Sequence, residues 1–267
     1  MLEQKLEKLM TILQELGSVA ICFSGGTDST FLSMAASKAL SKDKFLLIHV
    51  SSELIPRVET AFVNEWIEKN NFPLEIIKVD PLANKDVARN DIERCYYCKK
   101  AIMEVVFEQS KKHGLEYVLD GTNCDDLGDY RPGMKAANEK GVRHPLLEAG
   151  LNKAEIRILA DRWDLPNWNT PASACLASRL PYGMELNSER LRMVDEGEEF
   201  LRQLGYQGCR VRCLEDGAKL ELQVDDYVSA AENAELIVKK LRKIGFKQVL
   251  LDLQGYVRGG GQVIEKK

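Results

Sequence analysis

No apolar run in the 267 residues approaches the roughly 18 needed to cross a bilayer. Nor is there a basic excess: 37 Lys and Arg stand against 41 Asp and Glu, for a net charge of −4. The first absence excludes a transmembrane helix. The second argues against a broad surface that grips nucleic acid by counterion release, while leaving room for a local basic pocket. The opening MLEQKLEKLMTILQELG is charged and helix-periodic throughout, which is not the pattern of a signal peptide. The seven cysteines are an odd number, better suited to reduced thiols than to a disulfide framework. The expectation is a cytoplasmic protein that partners neither nucleic acid nor membrane. Also missing are internal repeats, low-complexity segments, a Walker G-x-x-x-x-G-K-[ST], and a G-x-G-x-x-G after any predicted strand.

What is present is an alternation. Leu2, Leu6, Leu9, Leu13 and Leu16 fall at helical spacing. SVAICF, KFLLIHV (44–50), LEIIKV (74–79) and EYVLDG (116–121) read as strands. Between them lie helical patterns at 28–40, 57–70, 82–88 and 95–113. Strands separated by helices of ten residues or more predict βαβ crossovers, hence a parallel, doubly wound α/β sheet covered on both faces. From 122 to 185 the pattern loosens, with 152–165 its clear helix. After residue 182 the period changes: a helix over 188–204, a hairpin turning at Asp216-Gly217, a helix over 228–243 and the strand KQVLLDL. We therefore expect an α/β domain over 1–182 and a smaller α+β domain over 183–267, with GYVRGGGQVIEKK a loose end.

Between the first strand and its helix stands S-G-G-T-D-S-T, Ser24 to Thr30. Gly25 and Gly26 let the backbone turn and expose its N–H groups. Ser24, Thr27, Ser29 and Thr30 supply hydroxyls, and the helix N-terminus adds positive dipole. Asp28 can hold Mg²⁺ beside a bound phosphate. A plain Ser/Asp helix cap needs fewer of these residues.

Cys95 and Cys98 flank Tyr96-Tyr97 at a helix start, so i, i+3 spacing puts both thiols on one face. The helix dipole, Lys99 and Lys100 favour thiolates there. A zinc ribbon would need a second C-x-x-C, which the chain lacks. Cys209 and Cys213 share a strand face with Val211, and Cys22 lies within the first strand, so all three read as core. Cys124 has no evident role. Cys175, in the loop SACLAS, is the third candidate thiol. Three cysteines on a [4Fe–4S] cluster leave one iron open to carry an extra sulfide. Arg210 and Arg212 alternate onto one strand face, either as a bidentate phosphate site or as a solvated face paired with Lys219 and Glu221. His49, His113 and His144 have no metal-ligand spacing.

S-G-G-T-D-S-T resembles the PP-loop of ATP pyrophosphatases, which cleave ATP between its α and β phosphates to adenylate a carboxylate or carbonyl. The resemblance implies that the loop holds pyrophosphate and that adenine lies along Ile48 to Ser51. His49, Ser51, Gly121 and Asp126 then belong to the nucleotide set, with Asp129 nearby and Asp125 capping a short helix. ERCYYCKK (93–100), LDGTNCDDLGDYRPGMKA (119–136), ASACLASRLPYG (172–183) and RVR (210–212) together resemble the LarE family. These are PP-loop sulfur transferases of nickel-pincer nucleotide biosynthesis, and the resemblance spans about residues 18–255.

The family resemblance implies adenylation of the carboxylates of pyridinium-3,5-biscarboxylate mononucleotide, with AMP and pyrophosphate released and thiocarboxylates formed. One branch of the family uses a [4Fe–4S] cluster, here Cys95, Cys98 and Cys175. The other sacrifices one cysteine of the 172–183 loop. That branch lacks the C-x-x-C and has its cysteine where this chain has Ala174, so both departures favour the cluster here. The matching arginines of the family hold the substrate phosphate, with Ser178 and Tyr96 beside them and Lys100 in the binding set. Glu198, Glu221 and Asp226 match carboxylates proposed to bind a metal, and relatives form hexamers. A tRNA thiolase shares the cysteine logic but needs a basic RNA surface. A non-catalytic nucleotide-binding or iron–sulfur regulator would bind ATP without releasing pyrophosphate.

Overall fold

The structure, a computed structural model, describes residues 1–128, 132–170 and 174–256. Helix α1 (Leu2–Leu16) buries Leu9, Leu13 and Leu16 along one stripe, as its leucine spacing predicts. Then β1 (Val19–Cys22), α2 (Thr27–Ala39), β2 (Phe45–Ser51), α3 (Arg57–Asn70) and β3 (Leu74–Lys78) alternate. The short α4 (Lys85–Ala88), the long α5 (Arg94–Lys112) and β4 (Tyr117–Leu119) follow. The four strands make one parallel sheet in the order β3-β2-β1-β4.

Alternation along β1 and β2 sends side chains to two cores. Val19, Ile21, Phe45 and Leu47 join residues of α1, α2 and α3, while Ala20, Leu46, Ile48 and Val50 join Met103 and Val106 of α5. From central β1 the chain runs out to β3 and returns to β4 on the other side of β1. The crevice beyond the carboxyl ends of β1 and β4 is therefore a topological switch point, where sheets of this kind bind ligands.

Helices α6 (Pro132–Lys140), α7 (Pro145–Glu148) and α8 (Lys153–Arg162) come next. A capping box of Asn152 and Glu155 starts α8. Beyond them lie α9 (Ser188–Gln203), β5 (Arg210–Cys213), β6 (Gly217–Glu221), α10 (Tyr227–Glu232), α11 (Ala234–Ile244) and β7 (Gln248–Leu251). Strands β5 and β6 are the expected antiparallel hairpin, and β7 adds parallel to β6. The single helix predicted over 228–243 is instead two, divided at Asn233. The Asn233 amide donates to the Ser229 carbonyl and to Tyr206 Oη.

Contacts divide the chain into two compact units, each discontinuous in sequence. The first takes residues 1–52, 59–79 and 95–173; the second takes 53–58, 80–94 and 174–267. This differs from a single cut at residue 182, and the reason is physical. Within the second unit Leu54 and Val87 are buried. The Asn90 amide donates to the carbonyls of Pro181 and Met184, and the N–H groups of Leu176 and Leu186 donate to Leu54 and Ala88. Among the described residues no helix is long and apolar enough to cross a membrane.

Candidate active site

In the first unit the loop between β1 and α2 occupies the switch point. Gly25 adopts φ 81°, and a Cβ there would stand 3.0 Å from Val63 Cγ2, so both backbone and packing require glycine. Gly26 is the N-cap, and Thr30 N–H makes the first helical bond to its carbonyl at 3.0 Å. The N–H groups of Thr27, Asp28 and Ser29 thus have no intrahelical partner and form the anion-binding end of α2. The loop hydroxyls are largely engaged in holding this shape. Ser29 Oγ donates to the Gly26 carbonyl and lies 3.1 Å from Ser24 Oγ, which accepts from Gly26 N–H. Thr27, Ser29 and Thr30 are buried, which leaves Ser24 as the exposed hydroxyl.

Asn167 closes the loop from the segment after α8. Its Nδ2 donates to the Gly25 carbonyl at 2.9 Å and to Thr30 Oγ1 at 3.0 Å, while Thr27 Oγ1 donates to the Asn167 carbonyl at 2.8 Å.

Asp28 is bound on both carboxylate oxygens by Lys153 Nζ, each at 2.8 Å. Burial pushes the Asp28 carboxyl above its ordinary range, and Lys153 opposes this without cancelling it. The far side of the crevice comes from the end of β4. A Cβ on Gly121 would lie 3.0 Å from Ser29 N, so this glycine packs directly on the first turn of α2. Asp126 accepts from Asn123 N–H, and Asp125 accepts from Lys153 N–H at the start of α8. Asp129 lies outside the described residues. His49 lies below the crevice, fully buried. Its Nδ1 donates to the Phe23 carbonyl, burial lowers its pKa, and its Nε2 has no partner among the described residues. Ser51, at the end of β2, is half-buried.

Cys95 and Cys98 are half-buried in the first two turns of α5. Lys99, expected beside the thiols, turns to the end of β4, 3.5 Å from Asp120 Oδ2. Burial opposes its charge, but Asp120 above all, with Cys22 and Cys98, raises its pKa. Asp120 in turn accepts from His144 Nδ1 at 2.7 Å and from Thr122 N–H. Burial would raise the Asp120 carboxyl, but His144 and Lys99 overcome it and hold the group well below the carboxylate range. Tyr96 donates to Glu139 at 2.7 Å, and Lys100 is exposed. The Cys22 thiol is pushed up to about 12 by burial, and Cys209 of the second unit likewise, as fits core thiols.

In the second unit Cys175 opens a 3-10 turn, Leu176–Arg179, that is gripped by two buried arginine–glutamate pairs. Arg179 binds Glu198 through Nε at 2.8 Å and Nη2 at 2.9 Å, and its Nη1 donates to the carbonyls of Ala174 and Cys175. Arg212 binds Glu221 through Nε at 2.9 Å and Nη2 at 2.7 Å, and its Nη1 donates to the Ser178 carbonyl. Ser178 Oγ donates to the Cys175 carbonyl. Arg212 is thus buried, not on a solvated face, and only Arg210 is more open, stacked on the Tyr256 ring at 5.0 Å. Tyr96 falls in the first unit and the arginines in the second.

The donor sets suit metals unequally. Among the described residues no three His, Cys, Asp or Glu side chains group to hold an ion. Glu198 and Glu221 are each bonded bidentately to an arginine, and Asp226 sits in a separate 3-10 turn, so these carboxylates do not fit a metal in this arrangement. Cys95 and Cys98, one helical turn apart and half-buried, fit as two thiolate ligands of a cluster. Sequence reasoning missed Lys153, Asn167 and Arg179. The signal for Lys153 was partly present, since the N-K-A-E pattern marks a capped helix start, although its pairing with Asp28 is not readable from sequence.

No protein-family model matches the chain. It is 39% identical over 264 residues to an uncharacterized protein of Synechocystis, covering 97% of each chain. It is 33% identical over 261 residues to the pyridinium-3,5-bisthiocarboxylic acid mononucleotide synthase of Lactiplantibacillus plantarum, covering 97% of this chain and 94% of that one. One subunit of the glutamine-hydrolyzing GMP synthase of Thermoplasma volcanium is 31% identical over 131 residues, 47% of this chain and 42% of that one. The parallel sheet with its glycine loop at the switch point defines an α/β protein of the PP-loop type. Within that class the chain belongs to the LarE family, that of the Lactiplantibacillus synthase.

Proposed function

We propose that the protein is an ATP-dependent sulfur transferase that converts the carboxylates of pyridinium-3,5-biscarboxylate mononucleotide to thiocarboxylates. The observation that carries this is the cradle at the switch point: Gly25 and Gly26 turning the chain, three first-turn N–H groups, and Asp28 with Lys153 at its rim. The whole-length similarity to a named synthase of the bisthiocarboxylate supports the substrate, and the partial similarity to a GMP synthase subunit supports a nucleotide in the loop.

The chemistry requires activation because sulfide cannot expel oxide from a carboxylate. The carboxylate oxygen attacks the α-phosphorus of ATP, and pyrophosphate leaves into the N–H groups of Thr27, Asp28 and Ser29. Lys153 lies at hydrogen-bond distance from Asp28 and supplies positive charge at the same rim. Mg²⁺ would be held by Asp28 and would neutralise phosphate charge; unlike the buried Glu198 pair, the Asp28–Lys153 pair is partly exposed, so that Lys153 could yield a carboxylate oxygen to the ion. A sulfur nucleophile then displaces AMP. Cys95, Cys98 and Cys175 would hold a [4Fe–4S] cluster, which would supply the sulfur. Sacrifice of Cys175 alone, leaving dehydroalanine, is the competing source.

Two measurements test this. Pyridinium-dependent exchange of labelled pyrophosphate into ATP is expected, and its absence with authentic substrate would sink the adenylation reading. After anaerobic reconstitution with iron and sulfide, about four irons per chain are expected in wild type and none retained as a cluster in Cys98→Ala. No iron in either, with the mass of H₂S lost from Cys175 after one turnover, would assign the sulfur to sacrifice.

A further inference from the structure

Asn167 is nearly fully buried and makes no contact in the reaction as proposed, yet three hydrogen bonds tie it to the loop from Gly25 to Thr30. It is remote in sequence from the loop that it holds. The Gly25 carbonyl can only accept, so the amide must present Nδ2 to it, and this fixes the orientation of the side chain. That leaves Oδ1 buried and without a partner among the described residues. A buried acceptor left unsatisfied is a standing cost, retained where the opposite end of the amide is needed.

The need is visible in the loop. Gly25 is in the left-handed region, so its carbonyl direction is not set by helix or strand. A carbonyl turned into the cradle would present a lone pair to phosphate and oppose the field of the α2 N-terminus. Asn167 holds that carbonyl on itself, and the reciprocal bond from Thr27 Oγ1 locks the first residue of α2 to the same amino acid. The contact with Thr30 Oγ1 extends the hold by one turn of helix.

We infer that Asn167 is a positioning residue of the phosphate loop, whose amide N–H keeps the Gly25 carbonyl out of the cradle so that the N–H groups of Thr27, Asp28 and Ser29 face the pyrophosphate. The inference rests on the proposed reading of the loop as an ATP site.

The test is titration of MgATP into full-length protein followed by calorimetry, for wild type, Asn167→Ala and Asn167→Asp, each across a pH series. Asn167→Ala is expected to weaken MgATP binding by about tenfold, the scale of one or two lost buried hydrogen bonds. Asn167→Asp supplies the readout that mere structural damage would not move. A carboxylic acid at this position can donate to the Gly25 carbonyl only while protonated, and burial beside a carbonyl raises its pKa. The ratio of its affinity to that of wild type is therefore expected to be highest at acid pH and to fall as pH rises. The bonded neighbours are a carbonyl and two hydroxyls, and titration of Asp28 or Lys153 cancels in the ratio. Wild-type binding with unchanged affinity in Asn167→Ala, or a pH-flat ratio for Asn167→Asp, overturns the inference and leaves the loop reading standing. Wild type that binds no MgATP overturns the loop reading and the inference together. Because the pH series compares one folded variant with itself, instability of Asn167→Ala does not decide the matter.

Discussion

At the scale of single residues, Asp28 and Asp120 stand near one another in the chain's fold but are tuned in opposite directions. Burial raises Asp28, and Lys153 only partly offsets it. Its ionisation therefore takes stability away as pH rises through that raised pKa. Asp28→Asn is expected to melt at or above the wild-type temperature at pH 7, while pyrophosphate exchange falls by about a hundredfold, as when a transition-state charge partner is removed. A melting curve beside an exchange assay checks both halves. Asp120 is lowered, so its contribution is present above the unfolded carboxylate value of about 4 and drains away as pH falls below it. Asp120→Asn should flatten the acid limb of a plot of melting temperature against pH, because it leaves His144 and Lys99 without the negative charge that they share.

At the scale of elements, the 3-10 turn bearing Cys175 depends on charge that lies beneath it. Arg179 and Glu198 are almost wholly buried, and cutting one partner strands the other. Arg179→Ala is expected to cost about 3–5 kcal/mol in chemical denaturation, and to release the carbonyls of Ala174 and Cys175. An unchanged denaturation midpoint would mean that the turn is held otherwise. This turn also marks how far sequence can be read. The glycine turn before α2, the C-x-x-C at the start of α5 and the bounds of α3 are legible because short contiguous patterns carry them. The grip on Cys175 is not, since Arg179 meets a glutamate from another helix, and Asn167 meets a loop 142 residues away. The break at Asn233 is also hidden, because the apolar period continues through it while the amide is drawn aside by Tyr206.

At the scale of the whole molecule, each unit is assembled from separated pieces of chain. The second unit buries Leu54 and Val87, takes Asn90 as a clamp on Pro181 and Met184, and pairs Arg57 with Asp195 at 2.6 Å. A fragment of residues 183–267 lacks all of these except Met184 and Asp195. It is expected to show helical circular dichroism without a cooperative thermal transition. A sharp two-state melt of that fragment would show that the earlier segments are accessory.

The interleaving bears on how the protein is made. Synthesis delivers the chain from its N-terminus, and the last strand of the parallel sheet ends at Leu119. The sheet can close while the rest is still being translated. The segments 53–58 and 80–94 emerge in the same period, but the residues that cover them begin at 174. Until then Leu54 and Val87 remain uncovered on a nascent protein whose four parallel strands have all been made. Between the end of that sheet at Leu119 and residue 174 lie about fifty-five residues of elongation, an interval in which two short apolar segments still await their cover and are open to a chaperone.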